Sequence, residues 1–393
     1  MHILRVISPV TRGPSGSNCC GGSGPSRPLA APAAAMPACH NRADRTMRIF
    51  LPTGIFVLFC ALYSGYWLWA ADRMEDLVTD WAGEQRAAGA QVSWSSLKVR
   101  GYPFRLEAHV QDPVIRTREW GWQGDKFVLH MMPYSFSHYI GAFEGLHRIR
   151  LGGPDAGRPL VFEGEAARAR ASLVFESKGA LRLSADFKGL QAKRLDAGGD
   201  TVLSRYAAER LQLHLRQWME TGEKGADAML AVAVQADNAD IPAHGIEGLG
   251  PVVGLARGQV LLSGLPVEAA ANPGSLADYL RTWEANDGRA QFEGFDLRWD
   301  EIDLSASGRM ALDDTGRPQG ELDTRIGGHG AVLDVLTSNR LLKDKQAELA
   351  KNAFTALNVV SRGEDGRLRL PVTLKKGDLY LGPVKMGRVE PVY

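Results

Sequence analysis

The feature that most limits what this chain can fold into is an alternation of period two that keeps returning after residue 100. In RLEAHV, Leu106, Ala108 and Val110 fall on one side and Arg105, Glu107 and His109 on the other. Leu181, Leu183, Ala185 and Phe187 alternate in the same way with Arg182, Ser184, Asp186 and Lys188. The pattern recurs in Leu211–Leu215, Leu230–Val234, Ala290–Phe292 followed by Phe295–Trp299, Ile302–Ala306, Leu322–Ile326 and Leu368–Leu374. Successive side chains take opposite faces on a strand, so each run is a strand with one dry and one wet face. That is the pattern of an antiparallel sheet, not of a parallel α/β core. Turn clusters separate the runs, DAGGD at Gly198, DDTGRPQG at Gly316 and KKGD at Gly377, so hairpins and meanders are expected. The clearest hairpin is SGRMALDDTGRPQGELDTRIGG.

Two helical patterns interrupt the strands. Ser275 with Asp278 at N3 forms a capping box ahead of Leu276, Tyr279, Leu280 and Trp283. A second pattern spans residues 339–361, with Leu342, Leu349, Ala350, Ala353, Phe354 and Leu357 as its stripe. Each is expected to cover part of the apolar side of the sheet. The expected fold class is β-rich α+β: an N-terminal transmembrane helix, then one or more curved antiparallel sheets with a few covering helices. The part beyond residue 90 exceeds the usual single core, which points to two sub-lobes near 90–260 and 261–393.

The uncharged run Ile49–Ala71 lies between Arg48 and Asp72. As a helix it reaches roughly 34 Å, enough to cross a hydrocarbon core of about 30 Å. Tyr63, Tyr66, Trp67 and Trp69 crowd its far end, where amphipathic rings favour the headgroup level. Arg42, Arg45 and Arg48 on the near side favour an internal N-terminus and an exported body. No small-residue cleavage site follows, so residues 47–71 are read as an uncleaved single-pass signal anchor carrying an exported body. Residues 72–89 read as an amphipathic helix through Met74, Leu77, Val78 and Trp81.

Residues 1–46 are rich in Gly, Ser, Pro and Ala, with no acidic residue before Asp44, and are expected to be disordered. Two accounts of this leader stand side by side: a transit-like segment, or a true start at Met47. Cys19, Cys20, Cys39 and Cys60 are the four cysteines, so the body from Asp72 onward has no thiol nucleophile, disulfide framework or Cys-based metal site. A net charge of +1, from 46 Lys and Arg against 45 Asp and Glu, argues against nucleic acid as a partner.

Chemical motifs are sparse. GIEGLGPVVG lacks both the G-x-G-x-x-G spacing and the Lys-Ser/Thr ending of a phosphate loop, and reads as a turn entering a strand. His130, His138 and His147 have no metal-ligand spacing, and Asp300, Glu301 and Asp303 read as a solvated face. No catalytic, metal or cofactor site is therefore expected. The aromatic residues Trp120, Trp122, Tyr134 and Phe136 are read chiefly as core, and where exposed as a lipid- or membrane-facing surface.

Three stretches resemble a family of bacterial membrane-anchored envelope proteins catalogued as domain of unknown function 2125. They are WSSLKVRGYPFRLEAHVQDP, in which Gly101, Tyr102, Pro103, Phe104 and Arg105 carry the GYPFR-type motif; the run from Trp283 through GELDTRIGG; and the closing LRLPVTLKKGDLYLGPVKMGRVEPVY with Gly382 and Pro383 in its turn. The two C-terminal hairpins also look like the ends of AsmA-like envelope proteins. The resemblance implies an anchor in a bacterial inner membrane with the body in the periplasm, and no established reaction. With the alternation it leads to one expectation, a non-catalytic role in envelope maintenance by binding lipid or acyl chains in an apolar β groove. The alternative is a scaffold for other envelope proteins, and an enzyme of unknown reaction is the third reading.

Overall fold

The computed structural model describes residues 42–152, 159–176, 179–222, 225–242, 244–265, 276–340, 348, 367–382 and 384–393. The leader up to residue 41 and the expected second helix over 341–361, apart from residue 348, lie outside the described residues. The chain divides into two compact units, Met1–Phe59 and Cys60–Tyr393.

Helix α1 runs from Arg42 to Ala87, so the expected span and the amphipathic segment are one continuous helix. In the first unit its apolar side chains are bare, with Phe50, Ile55, Phe56 and Phe59 all well exposed. Among the described residues it is the one helix long and apolar enough to cross a membrane. In the second unit one face turns inward. Trp67, Ala70, Ala71 and Met74 are buried against Leu106, Ala108 and Met131, because residues three and four apart share a helix face. Leu77 and Trp81, expected on the buried stripe, stay about half exposed beside a cleft.

The strands are β1 (Gln91–Ser93), β2 (Ser96–Arg100), β3 (Leu106–Gln111), β4 (Val114–Arg116), β5 (Trp120–Met132), β6 (Ser135–Leu151), β7 (Leu160–Phe175), β8 (Leu181–Leu195) and β9 (Val202–Gly222). After them come β10 (Gly225–Asp240), β11 (Val252–Leu265), helix α2 (Leu276–Ala285), β12 (Arg289–Trp299), β13 (Ile302–Leu312), β14 (Pro318–Gly327) and helix α3 (His329–Ser338). The last three are β15 (Leu368–Lys375), β16 (Asp378–Leu381) and β17 (Val384–Arg388). β4 continues β3 past a bend at Asp112, which has a positive φ of 47°. β3 and β4 share one edge of β5, while β2 pairs with β3 and β1 with β4. From β5 to β17 every strand pairs antiparallel with its neighbours in sequence.

The turns obey their chemistry. In the β13–β14 hairpin the Asp313 carboxylate accepts from the amides of Thr315 and Arg317. Between β15 and β16, Lys376 and Gly377 both take positive φ, as a two-residue hairpin turn matching the strand twist requires. Helix α2 is fixed by Trp283, whose indole N–H donates to the Ser263 carbonyl at 2.8 Å. Helix α3 places Leu333 and Leu336 against a small core of Leu368, Leu370 and Met386.

One expectation fails. The sheet neither curls on itself nor closes: among the described residues β2 pairs only with β3, and β17 only with β16. It is an open meander, and the sheltered interior expected of a curved sheet does not form. Alternation fixes which face is dry. Coiling and closure depend on strand tilt and stagger, which alternation does not encode.

Candidate functional site

Where α1 meets the sheet, two loops clasp one stretch of helix. The Tyr63 hydroxyl donates to the Pro103 carbonyl at 2.5 Å, and the Trp67 indole N–H to the Arg105 carbonyl at 3.1 Å. Ser64 and Tyr102 share a hydroxyl–hydroxyl bond of 2.8 Å, and the Tyr102 ring stands edge-on to Trp67 at 5.4 Å. From the β5–β6 turn, the Pro133 carbonyl accepts from the Tyr66 hydroxyl at 2.5 Å. Gly101 makes the first loop possible. Its φ is 104°, and a Cβ there would lie 2.7 Å from the Arg105 carbonyl oxygen that Trp67 binds. Phe104 and Tyr134 have 77% and 79% of their surface exposed, and Tyr102, although bonded to Ser64, has 55%.

Above the clasp, a cleft of about 560 Å³ separates α1 from β5 and β6. Trp69, Leu77 and Trp81 line it from the helix, and Leu129, Met131 and Tyr139 from the sheet. Arg73, Asp80 and Glu84 supply its charges.

From this cleft the register carries one apolar row across the sheet. Leu106 pairs with Met131, Met131 with Tyr139, Tyr139 with Leu173, and Leu173 with Leu183. The row continues through Leu215, Val232, Val260 and Phe292. It then crosses Gly308, Leu322 and Val372 to end at Leu381 on β16. Directly paired residues share a face. Leu106 and Met131 are buried under α1, whereas every residue from Leu173 onward is only half-buried. The opposite face is polar throughout a comparable row: Arg170, Asp186, Gln212, Gln235, Arg257, Asp296, Ser305, Arg325 and Arg369. There Arg257 and Asp296 pair at 2.6 Å, and the Arg210 guanidinium beside Asp186 holds its carboxyl below the usual carboxylate range.

The far ends of the same strands have another character. Arg116 and Arg150 flank Gly121 across β4, β5 and β6, and with Arg118 and Arg148 they line a pocket of about 600 Å³. Arg148 is paired with Glu163 at 2.5 Å.

The residues singled out in the sequence are dispersed. Gly101–Arg105 form one arm of the clasp, and Tyr134 follows Pro133, whose carbonyl makes the bond of the other arm. Trp120, 42% exposed, borders the arginine pocket at the far end. Trp122 belongs to a half-buried cluster, edge-on to Phe127 and Phe143, each at 5.9 Å, and stacked on His147. Phe136 lies on β6, its side chain outside the described set. Gly382 turns the chain between β16 and β17 with φ 54°, and Pro383 falls outside the described residues. The three histidines go to separate surroundings: His130 faces Glu107 at 3.4 Å, His138 bonds Ser172 at 2.9 Å, and His147 joins the aromatic cluster. Burial pushes the His147 pKa below its ordinary value, against the opposing field of Asp125. No group of three or more metal-ligating side chains occurs among the described residues. The exposed ring of Phe104 was legible only as part of a motif, and the apolar row needs the strand registers to be seen.

A family model of uncharacterized proteins conserved in bacteria, DUF2125, matches residues 67–390. The chain belongs to this family. The match opens at Trp67, the first residue of α1 buried against the sheet, so the family's shared part is the helix–sheet assembly of the second unit. It lends no support to the AsmA-like likeness of the C-terminal hairpins. No curated protein and no solved structure matches the chain.

Proposed function

We propose that this DUF2125 protein is anchored in the bacterial inner membrane, holds its sheet in the periplasm, and serves envelope maintenance by binding lipid acyl chains. The chain would enter at the cleft beside α1 and lie along the apolar row. The observation that carries this reading is the continuity of that row from Leu106 to Leu381, half-buried rather than covered beyond Leu173. Acyl chains need contiguous apolar surface and few directed polar groups, and soluble domains seldom leave such a surface open without a use for it. Arg42, Arg45 and Arg48 ahead of the span support the orientation. In this reading the protein is a binder and not an enzyme.

The test is native mass spectrometry of the full chain released from detergent, alongside photo-crosslinking with a diazirine fatty acid. The expected result is a lipid adduct on the parent protein, crosslinks on β8–β12 peptides carrying Leu183, Leu215, Val232 or Phe292, and loss of both in Val232→Asp. A clean apo mass with no crosslink would overturn the proposal. Crosslinks confined to the charged face would favour the second reading, a scaffold that presents rows such as Arg257 and Asp296 to another envelope protein.

A further inference from the structure

We infer that the Gly101–Arg105 loop and the β5–β6 turn are seated in the surface of the bilayer that α1 crosses, with Tyr102, Phe104 and Tyr134 in contact with lipid. This rests on reading Ile49–Ala71 as a membrane span. It does not depend on acyl-chain binding by the sheet.

Depth is set by the helix. Counting from Ile49, a helix climbs roughly 26 Å by Tyr66 and roughly 30 Å by Trp69, against a hydrocarbon thickness of about 30 Å. Tyr66 and Trp67 therefore lie just beneath the hydrocarbon boundary, and Tyr63 roughly 9 Å beneath it. These are the residues to which the two loops are bonded, through the carbonyls of Pro103, Pro133 and Arg105. The loops cannot ride above the headgroups without giving up all three bonds, so their other side chains share that depth.

Those side chains are chemically suited to it. Among the described residues of the second unit, Phe104 and Tyr134 are the most exposed aromatic rings, and Tyr102 is more than half exposed. Neither Gly101–Arg105 nor Pro133–His138 contains an acidic residue. The loop's one cation, Arg105, pairs with Glu107 at 3.4 Å and still has a 62% exposed side chain, able to reach the level of lipid phosphates. Tyrosine rings with a polar tip, and a phenylalanine just beyond, match the gradient from headgroup to acyl chain. This also gives the GYPFR motif a role: Gly101 shapes the turn, the carbonyls of Pro103 and Arg105 hold the helix, and Tyr102 and Phe104 face lipid.

The experiment uses the full chain with its four cysteines replaced by serine, reconstituted in phosphatidylethanolamine–phosphatidylglycerol vesicles. Single cysteines introduced as Phe104→Cys, Tyr134→Cys, Leu58→Cys and Glu119→Cys carry an environment-sensitive nitrobenzoxadiazole label. The expected result is blue-shifted emission, quenched by spin-labelled lipid, at 104, 134 and 58, with water-like emission quenched by iodide at 119. Labels at 104 and 134 that behave like 119 while 58 stays lipid-quenched would overturn the seating of the loops alone. A water-exposed label at 58 would overturn the span, and this inference with it. Blue-shifted labels at 104 and 134 that lipid-borne quenchers do not reach would assign the surface to a second copy of the chain and overturn lipid contact.

Discussion

The two ends of strands β3–β6 share one sheet and differ in almost every other respect. At the end beside α1, buried Trp67, Met74, Leu106 and Met131 form a core, and bare rings project beyond it. At the other end, roughly ten residues and some 33 Å further along the strands, Arg116 and Arg150 stand on either side of a glycine beside an arginine-lined pocket. The first end is held by burial and by directed bonds to a helix. Among the described residues the second is held by the sheet ladder and the half-buried Trp122 ring cluster, with exposed charges whose interactions are weak and screened. Location on a sheet therefore says little about rigidity; what matters is whether another element covers the face.

Substitutions should separate the ends sharply. Met74→Ala or Leu106→Ala removes a fully buried side chain from the α1 core and is expected to destabilise by about 2–5 kcal/mol, read from denaturant unfolding in detergent. A loss below 1 kcal/mol would mean that α1 contributes little to holding the sheet. Gly101→Ala should cost about 1–3 kcal/mol, because a left-handed backbone meets a carbonyl oxygen at 2.7 Å; an unchanged melting temperature would remove the loop from the clasp.

A pH effect comes next. Burial lowers the His147 pKa in the folded protein, so the unfolded chain binds its proton more readily. The stability tied to the neutral ring is present above the unfolded value of about 6.5 and is lost as pH falls through the lower folded value. His147→Phe should flatten that acid-side slope, and parallel slopes for variant and parent would exclude the histidine. The smallest effect is expected at the arginine pocket. The double variant Arg116→Gln, Arg150→Gln should stay within about 0.5 kcal/mol of the parent, and added salt should narrow any gain by screening the repulsion present in the parent. A large loss there would contradict the contrast between the two ends.

Much of the fold was legible because strand and turn chemistry are local. Leu181–Phe187 and Ile302–Ala306 alternate because neighbouring side chains on a strand must, and Gly316 and Gly377 mark turns because positive φ is cheap there. The helix face was half legible. Met74 and Val78 follow from periodicity, but Leu77 and Trp81 belong to the same apolar arc, and only the position of the sheet decides that they edge the cleft. Tyr63 and Tyr66 read as interfacial rings, and nothing local shows that their hydroxyls hold the carbonyls of Pro103 and Pro133, 40 and 67 residues away.

By itself the sequence determined that an uncharged run long enough to cross a bilayer precedes a body of amphipathic antiparallel strands, since span length and side-chain alternation are properties of consecutive residues. The tertiary structure alone decided that the sheet stays open, that its apolar positions line up strand by strand from Leu106 to Leu381, and that two distant loops close on one stretch of α1. Register, closure and docking are relations between segments far apart in the chain. A shift of one residue in any pairing would leave every local pattern intact and break the row.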